Sequence, residues 1–150
     1  MNTENPQKVV VELINRDQQF NHEFDIRTRV FVEELSVWQE DEYDGFDHLS
    51  THYLAYLDGE AAGTGRWRRD VRLSRIKIER IAVLPDFRKK GVGAALVSKM
   101  LADTPDTMER YVHTPIPTVG FFEQCGFAKE GEEFDEAGLI SVKMTYTEDV

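Results

Sequence analysis

Cysteine is almost missing. Cys125 stands alone among 150 residues, so no intrachain disulfide can staple the fold. That agrees with a reducing compartment, and Cys125 itself reads as a small buried hydrophobe. Basic residues are also short, 18 against 28 acidic ones, and the net charge of −10 opposes sequence-independent attraction to nucleic acid or anionic lipid. No apolar run approaches the roughly 18 residues a membrane span needs, so neither nucleic acid nor membrane is an expected partner. No basic stretch followed by an apolar block lies between Met1 and Val11, and the cytoplasm is the expected location. Repeats, low-complexity tracts and long linkers are absent, and 150 residues match a single domain, 1–150, with a core of its own.

What is present alternates between strand and helix patterns. Residues 8–14 are β-branched and apolar, a first strand, and Asn15, Arg16 and Asp17 supply turn and capping side chains. Phe20, Phe24, Phe31 and Leu35 recur at helical intervals, which predicts a helix over about 17–35 with these four side chains in the core. Residues 53–57 and 61–67 flank Asp58-Gly59, a hairpin signal. Along 75–83 the alternation places Ile76, Ile78, Arg80 and Ala82 on one face of a strand, and Lys77, Glu79, Ile81 and Val83 on the other. A helix follows from Val92, through Leu96, Val97, Met100 and Leu101. Residues 111–114 read as a strand, 117–125 as a helix capped by Gly126, and 127–130 and 140–146 as the last strands. The order β-α-β-β-β-α-β-α-β-β implies an α/β mixed sheet with helices on its faces.

The chemistry concentrates in residues 79–97. Gly91 and Gly93 allow a tight turn and close approach of a ligand, at a helix N-terminus where amide donors and partial positive charge collect. Arg88, Lys89 and Lys90 add cationic charge there, in an otherwise acidic chain. Two commoner phosphate motifs fail: no Gly-Lys-Ser/Thr is present, and Leu96 stands where a dinucleotide fingerprint needs its third glycine.

An apolar strand, then Arg-x-x-Gly-x-Gly, then an apolar helix resembles the pyrophosphate-binding motif of GNAT acyltransferases. Residues 29–37 with 41–47, and Gly-Phe-Phe-Glu-Gln-Cys-Gly-Phe ending at Phe127, extend the resemblance to one bacterial GNAT subgroup over nearly the whole chain. The resemblance implies the acyl-CoA N-acyltransferase fold, with acetyl-CoA as co-substrate and no metal. It implies that the main chain at Ile81, Ala82 and Val83 meets the pantetheine arm while Arg88, Lys89, Lys90, Gly91, Val92, Gly93 and Ala94 hold the pyrophosphate. Phe122 stands at a cofactor-contacting position where many relatives have a tyrosine that serves the departing thiolate. Pro115 and Ser141 replace an amide side chain and a histidine. These departures motivate an alternative expectation, an acyl-CoA-binding regulatory module with weakened turnover.

For proton acceptance from the amine, Glu79 is the leading candidate and His113 the second. The bland reading of Glu79 is an ion pair with a cation on a neighbouring strand. His48 and His52 are four apart but bring no third ligand, so no metal site is expected. Trp67 and the basic run Arg66, Arg68 and Arg69 offer a lining for a ligand channel, with a solvated strand end as the preferred reading. The acceptor is expected to be a small-molecule or peptide amine. Residues 40–47, with five carboxylates and two aromatics, are expected to steer cationic amines, helped by Trp38, Tyr43 and Phe46. Oligomeric state stays open, a homodimer included.

Overall fold

The computed structural model describes residues 8–147 except 71 and 73. Its strands are β1 (Val9–Leu13), β2 (Ser50–Leu57), β3 (Glu60–Asp70), β4 (Arg75–Val83), β5 (Glu109–Pro115), β6 (Phe127–Glu136) and β7 (Leu139–Tyr146). They form one seven-stranded sheet in the order β1-β2-β3-β4-β5-β7-β6. Every neighbouring pair is antiparallel except β4 and β5, which run parallel. The helices are α1 (Asp17–Arg27), α2 (Gln39–Glu42), α3 (Val92–Asp103) and α4 (Val119–Gln124). The order is the expected one, with α2 as an added turn in the acidic connection. Among the described residues no helix is long and apolar enough to cross a membrane.

The larger core joins one face of the sheet to α3 and α4. Val92, Leu96, Val97 and Met100 are each essentially inaccessible, and each such burial is worth about 1.5–3 kcal/mol. A smaller core joins Leu54 and Ala82, on the opposite face, to Ile26 and Val30.

On that opposite face Phe31 packs against the core, but the rest of the expected stripe does not. Phe20, Phe24 and Leu35 are exposed, and α1 buries Gln19, Glu23, Ile26 and Arg27 instead. The reason is polar: Glu23 and Arg27 reach partners on β2 and in the 40–47 segment, and only that rotation of the helix satisfies them. The helix also changes pitch, since Thr28–Glu34 is π-helical, with the Leu35 amide donating to the Val30 carbonyl.

Strand β4 departs from simple alternation as well. Arg80 has φ +58°, and the β3–β4 register slips between Thr64 and Arg66. This is a β-bulge, an extra residue that resets the side-chain alternation. Ile76 and Ile78 belong to the α3 side, and so do Ile81 and Val83, whereas Ala82 packs on the α1 side. The expectation that Glu79 shares a face with Ile81 and Val83 is therefore overturned: Glu79 points to the α1 side with its cross-strand partner Arg66.

Beyond the bulge the sheet opens. Pairing of β4 with β5 covers only Arg75, Lys77 and the residue between them, although β4 continues to Val83 and β5 to Pro115. The Leu84 amide donates to Ala62, so the main chain of Leu84 faces β3, and by the two-residue period Ile81 and Val83 present theirs to the opened seam.

Candidate active site

The opened seam is a cleft of about 1090 Å³, lined from both strands, from the start of α3, from the π-helical turn and from α4. Ile81, Ala82, Val83, Arg88, Lys89, Gly91, Val92, Gly93, Ala94, Phe122, Glu79 and His113 all border it, while Lys90 is exposed beside them.

At the mouth, α3 begins without a side-chain cap, because its N-cap is Gly91 at φ +85°. The first amides of a helix have no intrahelical acceptor, which leaves those of Val92, Gly93 and Ala94 directed outward. Lys89, at φ +62°, turns the preceding backbone in the same left-handed sense, a curvature that concentrates amide donors for an anion. Arg88 is committed elsewhere: its Nε donates to the Val83 carbonyl at 2.9 Å, and its two terminal nitrogens donate to Glu34. Gly93 is also a packing requirement, because a Cβ there would lie 3.0 Å from the Phe121 ring.

Deeper in, Phe122 is buried and packs edge-on against Phe121 and Phe127. It contributes apolar wall and no hydroxyl.

The α1 side of the cleft is polar. Glu79 accepts from Arg66 Nε at 2.7 Å and from Arg66 Nη2, and from Arg68 Nε at 3.2 Å, with Lys77 Nζ 3.4 Å away. Burial pushes its carboxyl up, but Arg66, Lys77, Arg80 and Arg68 outweigh burial and hold it below the ordinary carboxylate range. Arg66 is wholly inaccessible and also grips Asp47 at 2.6 Å and Asp44 at 2.9 Å. The reading of Arg66 and Arg68 as a solvated strand end is overturned; Arg69 alone is exposed. The signal was the i, i+2 spacing of Arg66 and Arg68, which puts both on one face of β3.

The acidic connection offers only part of its charge to solvent. Glu42 accepts from Arg27 Nε at 2.8 Å and lies 3.1 Å from Arg80, and Asp47 accepts from Arg27 Nη1 at 2.7 Å. Tyr43 stacks on Phe24, and Trp38 does not border the cleft. Glu42, Asp44 and Asp47 staple the connection to the sheet, so internal neutralisation opposes the steering of cationic amines expected of them, while Glu40 and Asp41 stay exposed and Asp41 borders the cleft.

His113, on β5, sits on the same polar side. Its ring is held by Tyr111 and Phe134 at centroid distances of 5.5 and 4.9 Å. Nδ1 lies 3.2 Å from Glu136 Oε2, out of line for a hydrogen bond, and is the one buried side-chain nitrogen or oxygen without a partner among the described residues. Sequence reasoning missed Lys77, Glu136 and Phe134, which converge only through sheet topology.

His52 lies outside the cleft. It meets Asp47 and Glu23, a trio within 4.8 Å that the sequence could not assemble, while His48 is exposed and apart. The trio is bonded within itself and to arginines: His52 Nδ1 to Glu23, Nε2 to the Asp47 carbonyl, and Asp47 Oδ1 to Arg27 and Arg66. Cys125 is half-buried, and burial pushes its thiol up, away from reactivity.

A family model described as an acetyltransferase (GNAT) domain matches residues 6–148. A Bacillus subtilis protein named as a candidate acetyltransferase is 34% identical over 152 residues, covering 93% of this chain and 97% of its own. Among solved structures, Escherichia coli ElaA is similar with a TM-score of 0.80 at 24% identity, over 93% of this chain and 100% of that one. A Bacillus subtilis acetyltransferase in complex with CoA gives a TM-score of 0.62 at 21% identity, over 93% and 98% of the two chains.

Proposed function

Because this chain belongs to the GNAT acetyltransferase family, we propose that it moves an acetyl group from acetyl-CoA to a primary amine of a small molecule or peptide, by direct attack of the amine on the thioester. The observation that carries this reading is the opened seam, in which unpaired main chain at Ile81 and Val83 leads to the uncapped start of α3.

The amides at the start of α3 would receive the pyrophosphate, with Lys89 and Lys90 adding charge and Arg88 joining once it leaves Glu34. The pantetheine amides would take the place of the missing strand along Ile81 and Val83. An amide of this stretch would then stand beside the thioester carbonyl and stabilise the oxyanion as the amine adds. The C–S bond breaks as the tetrahedral intermediate collapses, the thiolate takes up a proton from water, and the amine gives one up.

We assign that last proton to His113 in preference to Glu79. The oxygens of Glu79 are surrounded by four cations, and its carboxyl is held low, both of which weaken it as a base. His113 borders the cleft, with Nδ1 turned toward Glu136 and making no hydrogen bond among the described residues, and imidazole is the side chain most often used as a general base. Glu79 would serve as the fixed negative charge that organises Arg66, Arg68 and Lys77.

Free-thiol release from acetyl-CoA with an amine panel tests the reading. His113→Gln should lower kcat by about a hundredfold or more, with CoA affinity unchanged. Glu79→Gln should lower rate and melting temperature together, by a similar factor at every pH. The second reading, a CoA-binding module without turnover, is favoured by Phe122, which supplies no proton to a leaving thiolate. CoA binding with no thiol release from any amine would select it.

A further inference from the structure

Arg68 and Lys77 are direct cross-strand partners on β3 and β4. Like charges opposite each other on one sheet face are destabilising, and only Glu79 lies between them. We propose that the acceptor carries a carboxylate beside its amine, and that Arg68 and Lys77 bind that carboxylate. The proposal rests on the acetyl-transfer reading for the fate of the amine, but the binding site stands on its own geometry.

The hydrogen-bond inventory gives the sign of the missing group. Three carboxylates around this part of the cleft already have donors: Glu79 takes Arg66 and Arg68, Asp44 takes Arg66 and Arg80, and Glu42 takes Arg27, whereas Glu136 has charge contacts with Lys77 and His113 but no hydrogen bond among the described residues. The cations have donors left over. Arg68 uses only Nε, toward Glu79, and its terminal nitrogens have no hydrogen bond among the described residues. Lys77 Nζ lies 3.4 Å from Glu79 and 3.7 Å from Glu136 and makes no hydrogen bond among the described residues. Both side chains are mostly buried, at 20% and 11% exposure, but their unpaired nitrogens are not enclosed, so a ligand in the cleft can meet them. Two adjacent cations with donors to spare, on the wall of a cleft, suit a ligand that brings oxygen acceptors.

Geometry narrows this to a carboxylate. The Arg68 guanidinium lies over the Phe46 ring at 4.3 Å, which fixes its plane and leaves a two-pronged edge suited to two carboxylate oxygens. A phosphate dianion would place two negative charges beside Glu79 and Glu136, so the single charge of a carboxylate is opposed less. Lys77 is opposite Tyr111 on β5, and His113 follows on the same face, so an amine one or two bonds from the carboxylate falls between the cation pair and His113. The class is an amino acid or a compound with that amino-carboxylate arrangement.

The test is calorimetric titration of CoA-saturated protein with matched sets: phenylalanine, phenylalaninamide and phenethylamine; lysine, lysinamide and cadaverine; glycine, glycinamide and O-phosphoethanolamine. At least one free carboxylate should bind about tenfold or more tighter than its amide and its decarboxylated amine, as expected for charge-assisted hydrogen bonds. Arg68→Gln should erase that preference, Arg68→Lys should restore only part of it, and Lys77→Gln should reduce it. Since Arg68 also touches Glu79, circular dichroism of each variant accompanies the titration, and the lysine variant is read if the glutamine variant unfolds. Equal or tighter binding of the amides or amines, tighter binding of O-phosphoethanolamine, or binding of none of them overturns the proposal. Thiol release with the same compounds separates the two ideas. Carboxylate-selective binding without release leaves the site standing and removes acetyl transfer, whereas release with cadaverine or phenethylamine but with no amino acid does the reverse.

Discussion

Arg88 and Glu34 clasp each other end to end, Nη1 donating to Oε2 at 2.7 Å and Nη2 to Oε1 at 2.6 Å. The hydrogen bonds from Arg88 hold the Glu34 carboxyl below its ordinary range. The same N–H groups are those the pyrophosphate would need, so Glu34 would compete with the proposed cofactor. An exposed pair of this kind is worth about 0–1 kcal/mol, and Glu34→Gln should tighten CoA binding by up to about fivefold in Kd. Calorimetry reads this directly, and unchanged or weaker binding would show that Arg88 does not reach the cofactor.

His52 makes stability depend on pH. Nε2 faces the Asp47 carbonyl at 2.7 Å and Nδ1 faces the Glu23 carboxylate at 2.7 Å, so both nitrogens meet acceptors and the ring is held as imidazolium. Burial lowers its pKa, but the Glu23 hydrogen bond and charge, aided by Asp47, move the net value upward. A raised folded-state pKa means the contribution is fully present below the unfolded value of about 6.5 and is lost as pH rises through the folded one. Urea unfolding should therefore show a stability decline above neutrality that His52→Gln removes. An identical decline in the variant would place its origin elsewhere.

Arg66 is the hub of the buried network. Arg66→Met leaves Glu79, Asp44 and Asp47 short of their shared cation, and breaking a buried pair from one side costs about 3–5 kcal/mol. For a chain of this length that is a fall in melting temperature of roughly 10 °C. The double variant Arg66→Met/Glu79→Leu should be less destabilised than the sum of its parts. Strict additivity in scanning calorimetry would contradict the pairing.

Two glycines give opposite signs for one chemical change. A Cβ at Gly63 would lie 2.9 Å from both the Ala82 carbonyl oxygen and Val92 Cγ1, so Gly63→Ala must push α3 off the sheet, at about 1–3 kcal/mol. A Cβ at Gly120, within α4, meets nothing within 4 Å, and Gly120→Ala should stabilise by roughly 0.5–1 kcal/mol. Chemical denaturation of both variants checks the pair.

Strands, hairpin and α3 were legible because their residues obey simple periods and answer to a common core. The face of α1 was not, since Gln19, Glu23 and Arg27 look like solvent residues until β2 and the 40–47 segment, remote in sequence, supply their partners. The acidic segment misled for the same reason: a charge shows its sign in sequence but not its counterion. For the site, the start of α3 was readable from Gly91 and Gly93. The surplus donors of Arg68 and Lys77 were not, because a surplus exists only after every other pair has been made. The bulge left one trace, a spacing of three between Ile78 and Ile81 where the strand otherwise counts in twos.

That count has a consequence for how the chain could be altered. With Arg80 removed, Ile76, Ile78, Ile81 and Val83 would fall into unbroken two-residue order, and each would keep its present side of the sheet. No apolar core contact requires the extra residue, although its side chain pairs with Glu42 and Asp44. What depends on it is the gap between two parallel strands that would otherwise zip together to their ends. A deletion one codon long would thus be expected to yield a more regular sheet whose interior hydrogen bonds were all satisfied from within, and so a chain with no seam for a cofactor to enter.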